Sequence, residues 1–446
     1  MRTASFILAL GLHAFFSPSV LAQGTGEILT LERAIEQATT ANRLTRIATL
    51  EEEKATAAGA ALHAQRFPHL DFKALTGATL SPLDFTFRQG IFGTYATTGP
   101  VPFQDVKVTA PRSFGSAIAF TAVQPITQLG KISMGEKLYA LEHDLDVEKT
   151  REQRQALVGD VKRTYYGLQQ TRAGVAAVQQ ALAQLEELER VVGQYVERQV
   201  ALLSDQLAVQ TERARVEHTR LTLRNQEQTL KERLNLLMGR PLGTPFEAAP
   251  VPDAVMQDAD VEAAVAAARR SRPALRQADI NIARAEQDLA LKQRERAPDV
   301  SLAAGFVQLF NIDVLPPTLA AAAVLFTWEP LDWGRRKQEA AQRGKALEQA
   351  RLARQETDAQ IELDVRMKAR KATEARQLLR VTQLARDTAA ERLRVATERY
   401  RVESALLRDV LEAQTAMARA TQEYEQALGA FWTARADLEQ AIGDQP

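Results

Sequence analysis

After Pro68 and again after Pro298, apolar side chains fall at every second position, the period of a strand whose two faces meet different surroundings. The first stretch is His69-Leu70-Asp71-Phe72-Lys73-Ala74-Leu75-Thr76; the second is Asp299-Val300-Ser301-Leu302-Ala303-Ala304-Gly305-Phe306. They predict strands over 69–79 and 299–309, with return strands over 113–126 and 318–331. The flanking pattern is helical. Thr30 is suited to cap a helix opening at Leu31-Glu32-Arg33-Ala34-Ile35, with Glu32 in the first turn where the dipole favours an anion. A second helical run, 41–66, stops at Phe67-Pro68. Runs 258–270 and 273–296 repeat that pair, with Pro273 suited to a first helical turn and Ala297-Pro298 ending the run.

The longest helical signals are two tracts without proline. None occurs between Pro125 and Pro241 or between Pro330 and Pro446, leaving 115 residues in each gap. Proline inside a helix costs about 3 kcal/mol, so its exclusion from runs this rich in Ala, Gln, Glu, Arg and Leu predicts uninterrupted helix. Ala201-Leu202-Leu203-Ser204-Asp205-Gln206-Leu207 matches Ala405-Leu406-Leu407-Arg408-Asp409-Val410-Leu411 at an offset of 204, and both tracts close alike at the same offset. Each tract is therefore expected to turn back just before these motifs as two near-equal antiparallel helices, each of about 55 residues rising roughly 80 Å. The chain reads as a tandem repeat, 23–250 and 251–446, each half carrying helices, a strand pair and a long helical hairpin, over 128–239 and 334–443.

The halves differ between their strands. Pro68 to Pro125 spans 57 positions and Pro298 to Pro330 only 32, so the first half carries 25 more residues, concentrated in 79–111. Prolines and glycines make that insertion read as a long loop, with Phe85, Phe87, Phe92 and Tyr95 able to anchor it to a surface or a neighbouring chain.

Composition narrows the setting. Aromatic residues are 6% and charged residues 25%, which suits long solvated helices, and Lys plus Arg equals Asp plus Glu at 56 each, against the basic excess of a nucleic-acid binder. Residues 1–22 read as a secretory signal, with Arg2, an apolar stretch over 4–16 and a small-residue cleavage site at Val20-Leu21-Ala22. The apolar stretch is too short for a spanning helix of about 20 residues, and with no cysteine the chain has neither disulfides nor a site for a cysteine-linked lipid.

No catalytic constellation emerges. His13, His63, His69, His143 and His218 are scattered and none pair at metal-ligand spacing. Gly130-Lys131 lacks the upstream glycine of a phosphate loop, since Pro125 stands there. Neither enzyme activity nor a cofactor nor a metal is expected.

Four motifs in this order make the chain resemble the TolC-like outer membrane efflux protein family. They are Leu29-Thr30-Leu31-Glu32-Arg33-Ala34-Ile35, Arg66-Phe67-Pro68, Glu329-Pro330-Leu331-Asp332-Trp333-Gly334-Arg335-Arg336, and Arg399-Tyr400 ahead of Asp409-Val410-Leu411-Glu412-Ala413. The resemblance implies a mostly α chain with a transmembrane β-barrel: a homotrimer whose copies give four strands each to one barrel in outer membrane lipid, continued by an α-barrel through the periplasm. It implies the exit duct of a tripartite efflux or type I secretion system, served by a periplasmic adaptor and an inner membrane pump. The alternative is a periplasmic coiled-coil adaptor or structural protein with a small soluble sheet and no channel.

By the same resemblance Asp205, Asp409 and Glu412 are the aperture candidates, since three copies of a carboxylate around a narrow axis act strongly on ions. Tyr195, Arg198, Tyr400 and Arg408 are candidate latch residues between hairpins. Gln199 and Glu403 stand where the family commonly has glycine at the hairpin turn, and Asn42-Arg43 replaces its usual Asn-Pro. Phe326, Trp328 and Trp333 are expected in an aromatic belt at the membrane interface, with core packing as the competing account.

Overall fold

The computed structural model describes residues 27–78, 80–110, 114–251, 260–311, 316–402 and 404–443. The signal read over 1–22 and Glu403 lie outside them. The chain divides into two compact units, one of Met1–Ala38, Val161–Val255 and Ala385–Gly429, the other of Thr39–Asp160, Met256–Leu384 and Ala430–Pro446.

In chain order the elements begin with β1 (Glu27–Leu29), α1 (Leu31–Ala41), α2 (Arg43–Ala64) and β2 (His69–Ala78). Next come β3 (Leu83–Phe87), β4 (Thr94–Tyr95), β5 (Gly99–Pro100), β6 (Val106–Ala110), β7 (Phe114–Pro125), α3 (Leu129–Glu197) and α4 (Leu203–Leu237). The second half supplies β8 (Phe246–Ala248), α5 (Val261–Ser271), α6 (Pro273–Arg294), β9 (Asp299–Phe310), β10 (Thr318–Thr327), α7 (Arg335–Arg401) and α8 (Leu407–Ile442).

In the second unit the two strand pairs merge into one antiparallel sheet, ordered β10-β9-β7-β2. The join is made at its base. Ile126 N donates to Val300 O, Val300 N to Thr127 Oγ1 at 2.8 Å, and Lys131 Nζ reaches Asp299 Oδ1 at 2.7 Å. This places Gly130-Lys131 at a strand-to-helix junction, where a Cβ on Gly130 would stand 2.9 Å from the Arg294 guanidinium. The helices of this unit repeat the order of the strands. His63 of α2 meets Glu136 of α3 at 2.8 Å, Arg284 of α6 meets Glu142 of α3 at 2.9 Å, and Arg354 of α7 meets Asp279 of α6 at 3.1 Å, giving α2-α3-α6-α7 beneath β2-β7-β9-β10.

Register sorts the sheet's side chains into two unlike faces, because directly opposed residues share a side. Phe72, Phe120, Phe306 and Ala320 form one row across all four strands, with Leu70, Ala122, Ala304 and Ala322 as the next. The other face carries Asp71, Thr121, Gly305 and Ala321 in one row and Lys73, Ala119, Val307 and Leu319 in another. The apolar face is uncovered: Phe72 is 68% exposed and Val324 65%.

Three expectations change. Both tracts divide unevenly, into 69 and 35 residues and into 67 and 36, because the turn motifs at Ala201 and Ala405 lie well past each tract's midpoint. The return strand expected to reach 331 stops at Thr327, ahead of Glu329-Pro330, where proline has no N–H for a ladder. The insertion read as a loop contains two small hairpins, β3 with β6 and β4 with β5. Asn42 caps α2 unaided, its Oδ1 accepting from Leu44 N at 2.7 Å, so Arg43 can stand where the resemblance expects proline.

In the first unit, strands distant in sequence, β1 and β8, pair in parallel. Tyr165 is buried beneath them, with its hydroxyl 2.9 Å from Leu29 O and 2.7 Å from Ala249 O. α4 runs back along α3: Leu230 faces Gly167, Leu223 faces Gly174 and Gln206 faces Gly193.

Candidate functional site

The connections between the long helices sit together in the first unit. Leu185 and Val192 of α3 and Val209 of α4 form a buried cluster, against which Leu407 and Leu411 of α8 pack. The ring centroids of Tyr195 and Tyr400 lie 6.2 Å apart, tilted at 56°. Burial pushes the Tyr400 hydroxyl above its ordinary pKa, and the fields of Tyr195 and Asp205 add to the shift. A tyrosine near the end of each of the two longest helices and the first-half carboxylate therefore share one locality.

Each connection leaves its long helix through the same turn. Val200 N donates to Tyr195 O at 2.8 Å and Ser404 N to Arg399 O at 2.9 Å, a six-residue closure of the kind that often encloses a left-handed residue. In the first connection that residue is Gln199, with φ of 63°. Glycine adopts this backbone freely, while an L side chain costs about 1–2 kcal/mol there. Gln199→Gly should therefore stabilise the chain by about 1 kcal/mol and Gln199→Val should destabilise it, read as opposite shifts of the urea midpoint. A lower midpoint for Gln199→Gly would contradict this account.

The aperture candidates have local partners. Asp205 Oδ2 accepts from Leu202 N at 3.2 Å and Asp409 Oδ2 from Leu406 N at 3.1 Å. Each carboxylate thus folds back on the first turn of its own helix, the return half of a capping box whose other half a leucine cannot supply. Glu412 faces Arg408 at 3.5 Å, and Arg408 approaches Asp409 at 3.9 Å. These pairs are solvent-exposed and contribute at most about 1 kcal/mol. The structure brings Tyr195 and Tyr400 together, but not the arginines. Arg198 has no side-chain partner among the described residues, and Arg408 stays with its own helix.

Phe326 lies on the apolar sheet face, opposite Val300, and Trp328 follows one residue after the strand, 53% exposed. Trp333, 90% exposed with φ of 53°, stands outside the sheet at the start of α7. Asp332 beside it accepts from Gly334 N and Arg336 N, and the bond from Arg336 leads in holding its carboxyl below the usual range.

One ionisable residue escaped the sequence reading. Glu425 of α8 is half-buried with no hydrogen-bond partner for Oε2 among the described residues, and burial raises its pKa although Arg386 opposes the shift. Arg386 instead lies over the Tyr424 ring, 4.0 Å from its centroid. One more glutamate in a charge-rich helix carries no local signal of this. Among the described residues no cluster of His, Asp and Glu could hold a metal, and no helix is long and apolar enough to cross a membrane.

Known proteins give their answer through structure. No family description matches the chain, and no curated protein matches it. Solved structures do. The outer-membrane channel OprN is 14% identical, covering 93% of this chain and 90% of its own with a TM-score of 0.75. The CmeC outer membrane channel of Campylobacter jejuni is 14% identical, covering 93% and 85%, also at 0.75. VceC, an outer membrane protein of Vibrio cholerae, is 16% identical, covering 93% and 96% at 0.73. The chain has the fold of an outer membrane channel. Within that fold, the paired connections around Tyr195 and Tyr400 are one of the places where the two halves of the chain meet.

Proposed function

We propose that three copies of this chain close edge to edge in the outer membrane as a passive channel-tunnel, the exit duct of a tripartite efflux or type I secretion system. The observation that carries this is the shared order of strands and helices, β2-β7-β9-β10 above α2-α3-α6-α7. It makes a wall with two free margins, β2 with α2 and β10 with α7. Among the described residues nothing pairs with the outer edges of β2 and β10, and an open edge cannot face lipid. Joining one copy's β10 to the next copy's β2 removes every edge. The uncovered row of Phe72, Phe120 and Phe306 then faces hydrocarbon, while the row with Asp71 and Thr121 faces the lumen.

The helical hairpins form the periplasmic tunnel in this reading. α3 and α7, at 69 and 67 residues, would each rise roughly 100 Å if straight. Their connections make the inner aperture, with Asp205, Asp409 and Glu412 as its charges, Tyr195 and Tyr400 as a contact that parts on opening, and a periplasmic adaptor docking around Gln199. An inner membrane pump supplies the energy. Reconstitution of the detergent-purified protein into a planar bilayer should give discrete conductance steps. A protein that stays soluble after lysis without detergent and never conducts would instead be a periplasmic coiled-coil adaptor or structural protein.

A further inference from the structure

The insertion of the first half holds a surface that the duct does not use. β3 and β6 pair antiparallel as a two-stranded sheet of their own, with Phe85 opposite Val108 and Phe87 opposite Val106. These four apolar residues share one face. The other face carries Thr86 and Lys107, and Asp84 with Thr109; Asp84 accepts from Thr109 Oγ1 at 2.6 Å and pairs with Lys107 Nζ at 2.9 Å. One side is thus built for water and the other is not, yet Phe85, Val106 and Val108 stand more than a third exposed, and Phe103 beyond them is 72% exposed. The Phe92 ring of the same insertion lies 5.4 Å from the Phe87 ring and covers only that end of the face. A lone two-stranded hairpin is marginally stable in water, so the exposed remainder at Phe85, Val106 and Val108 implies a further cover.

Three observations choose the cover. Hydrocarbon is the first candidate, but β2, β7, β9 and β10 already run 10 to 12 residues, enough for a tilted strand to cross a bilayer core in about 9–11. The hairpin follows β2 in the chain and precedes β7, so it lies beyond that crossing. A matching hairpin on the same chain is the second candidate, but only six residues separate Phe310 from Pro317 in the other strand pair. The third is position: the hairpin grows from β2, which is the margin of the sheet.

We propose that the face of Phe85, Phe87, Val106 and Val108 packs on a second copy of this chain, reaching across the β2 margin to clasp the outer end of the neighbouring copy's β9 and β10. The proposal rests on the edge-to-edge assembly above. It assigns the 25 extra residues to holding copies together outside the membrane. Each copy gives one clasp and receives one, as a cyclic head-to-tail arrangement requires.

The absence of native cysteine makes the test direct. Val108→Cys and, as its control on the wet face of the same hairpin, Thr86→Cys are purified in detergent, their assembly state is measured by light scattering, and each is labelled with a water-soluble maleimide. In the trimer Val108→Cys should label at least about tenfold more slowly than Thr86→Cys, and the difference should vanish on dissociation. Val106→Cys repeats the measurement should Val108→Cys not assemble. A bimane at position 108 quenched by nitroxide lipid in vesicles would assign the face to hydrocarbon and overturn the proposal. Equal labelling rates in a trimer would overturn it while leaving the duct intact, whereas a monomeric parent protein would remove both.

Discussion

Phe120→Arg is expected to prevent assembly in the outer membrane, while Thr121→Arg, one residue along, leaves it nearly unchanged. Phe120 is near the middle of β7 in the row with Phe72 and Phe306, and Thr121 is opposite Asp71 on the other face. An arginine facing lipid at mid-depth costs about 2–4 kcal/mol, so three copies in the proposed barrel would incur about 6–12 kcal/mol, comparable with the whole stability of a typical domain. An arginine in a wetted lumen keeps its hydration and gains Asp71 as a neighbour. The readout is heat-modifiable mobility of the outer membrane fraction, where trimer should be lost for Phe120→Arg alone, with altered conductance for Thr121→Arg. Two variants that assemble alike, or failure of Thr121→Arg instead, would invert or remove the proposed orientation of the sheet.

That contrast was half legible in the sequence. Alternation after Pro68 and Pro298 marks the strands because a two-faced sheet needs period two, and the prolines mark where helices stop. The rows are a different matter. Nothing local to Phe120 or Phe306 says that they are neighbours, since β7 and β9 belong to different repeats and are joined by pairing alone. The same holds for β1 with β8, three-residue strands brought together from distant parts of the chain. The hairpin in the insertion was within reach, because Phe85 and Phe87 alternate with Asp84 and Thr86, but the density of glycine and proline around it reads as loop. At the two helix connections the repeat offset singles out Asp205 and Asp409 together. Their bonds to Leu202 N and Leu406 N were invisible because the usual capping signature begins with Ser or Thr, and here leucine occupies that place.

This double character of Asp205 and Asp409, cap and candidate aperture charge, separates by substitution. Asparagine keeps an oxygen to accept from Leu202 N and Leu406 N and removes the charge; alanine removes both. Loss of a helix cap costs about 1 kcal/mol per site, and loss of the anion near a helix N-terminus about 0.3–1 kcal/mol more. Asp205→Asn/Asp409→Asn should therefore unfold somewhat below the parent's midpoint, by the lost anions alone, while Asp205→Ala/Asp409→Ala unfolds lower still by about 1 kcal/mol per site. Conductance should respond to charge alone. In the proposed trimer six carboxylates would stand around one axis, and rings of this kind favour cations, so both double variants should lose most of the parent's cation preference in reversal-potential measurements across a salt gradient. If the asparagine pair keeps the parent's selectivity while the alanine pair only lowers stability, the two aspartates serve the turns of α4 and α8, and the aperture's charge must be sought elsewhere on the connections.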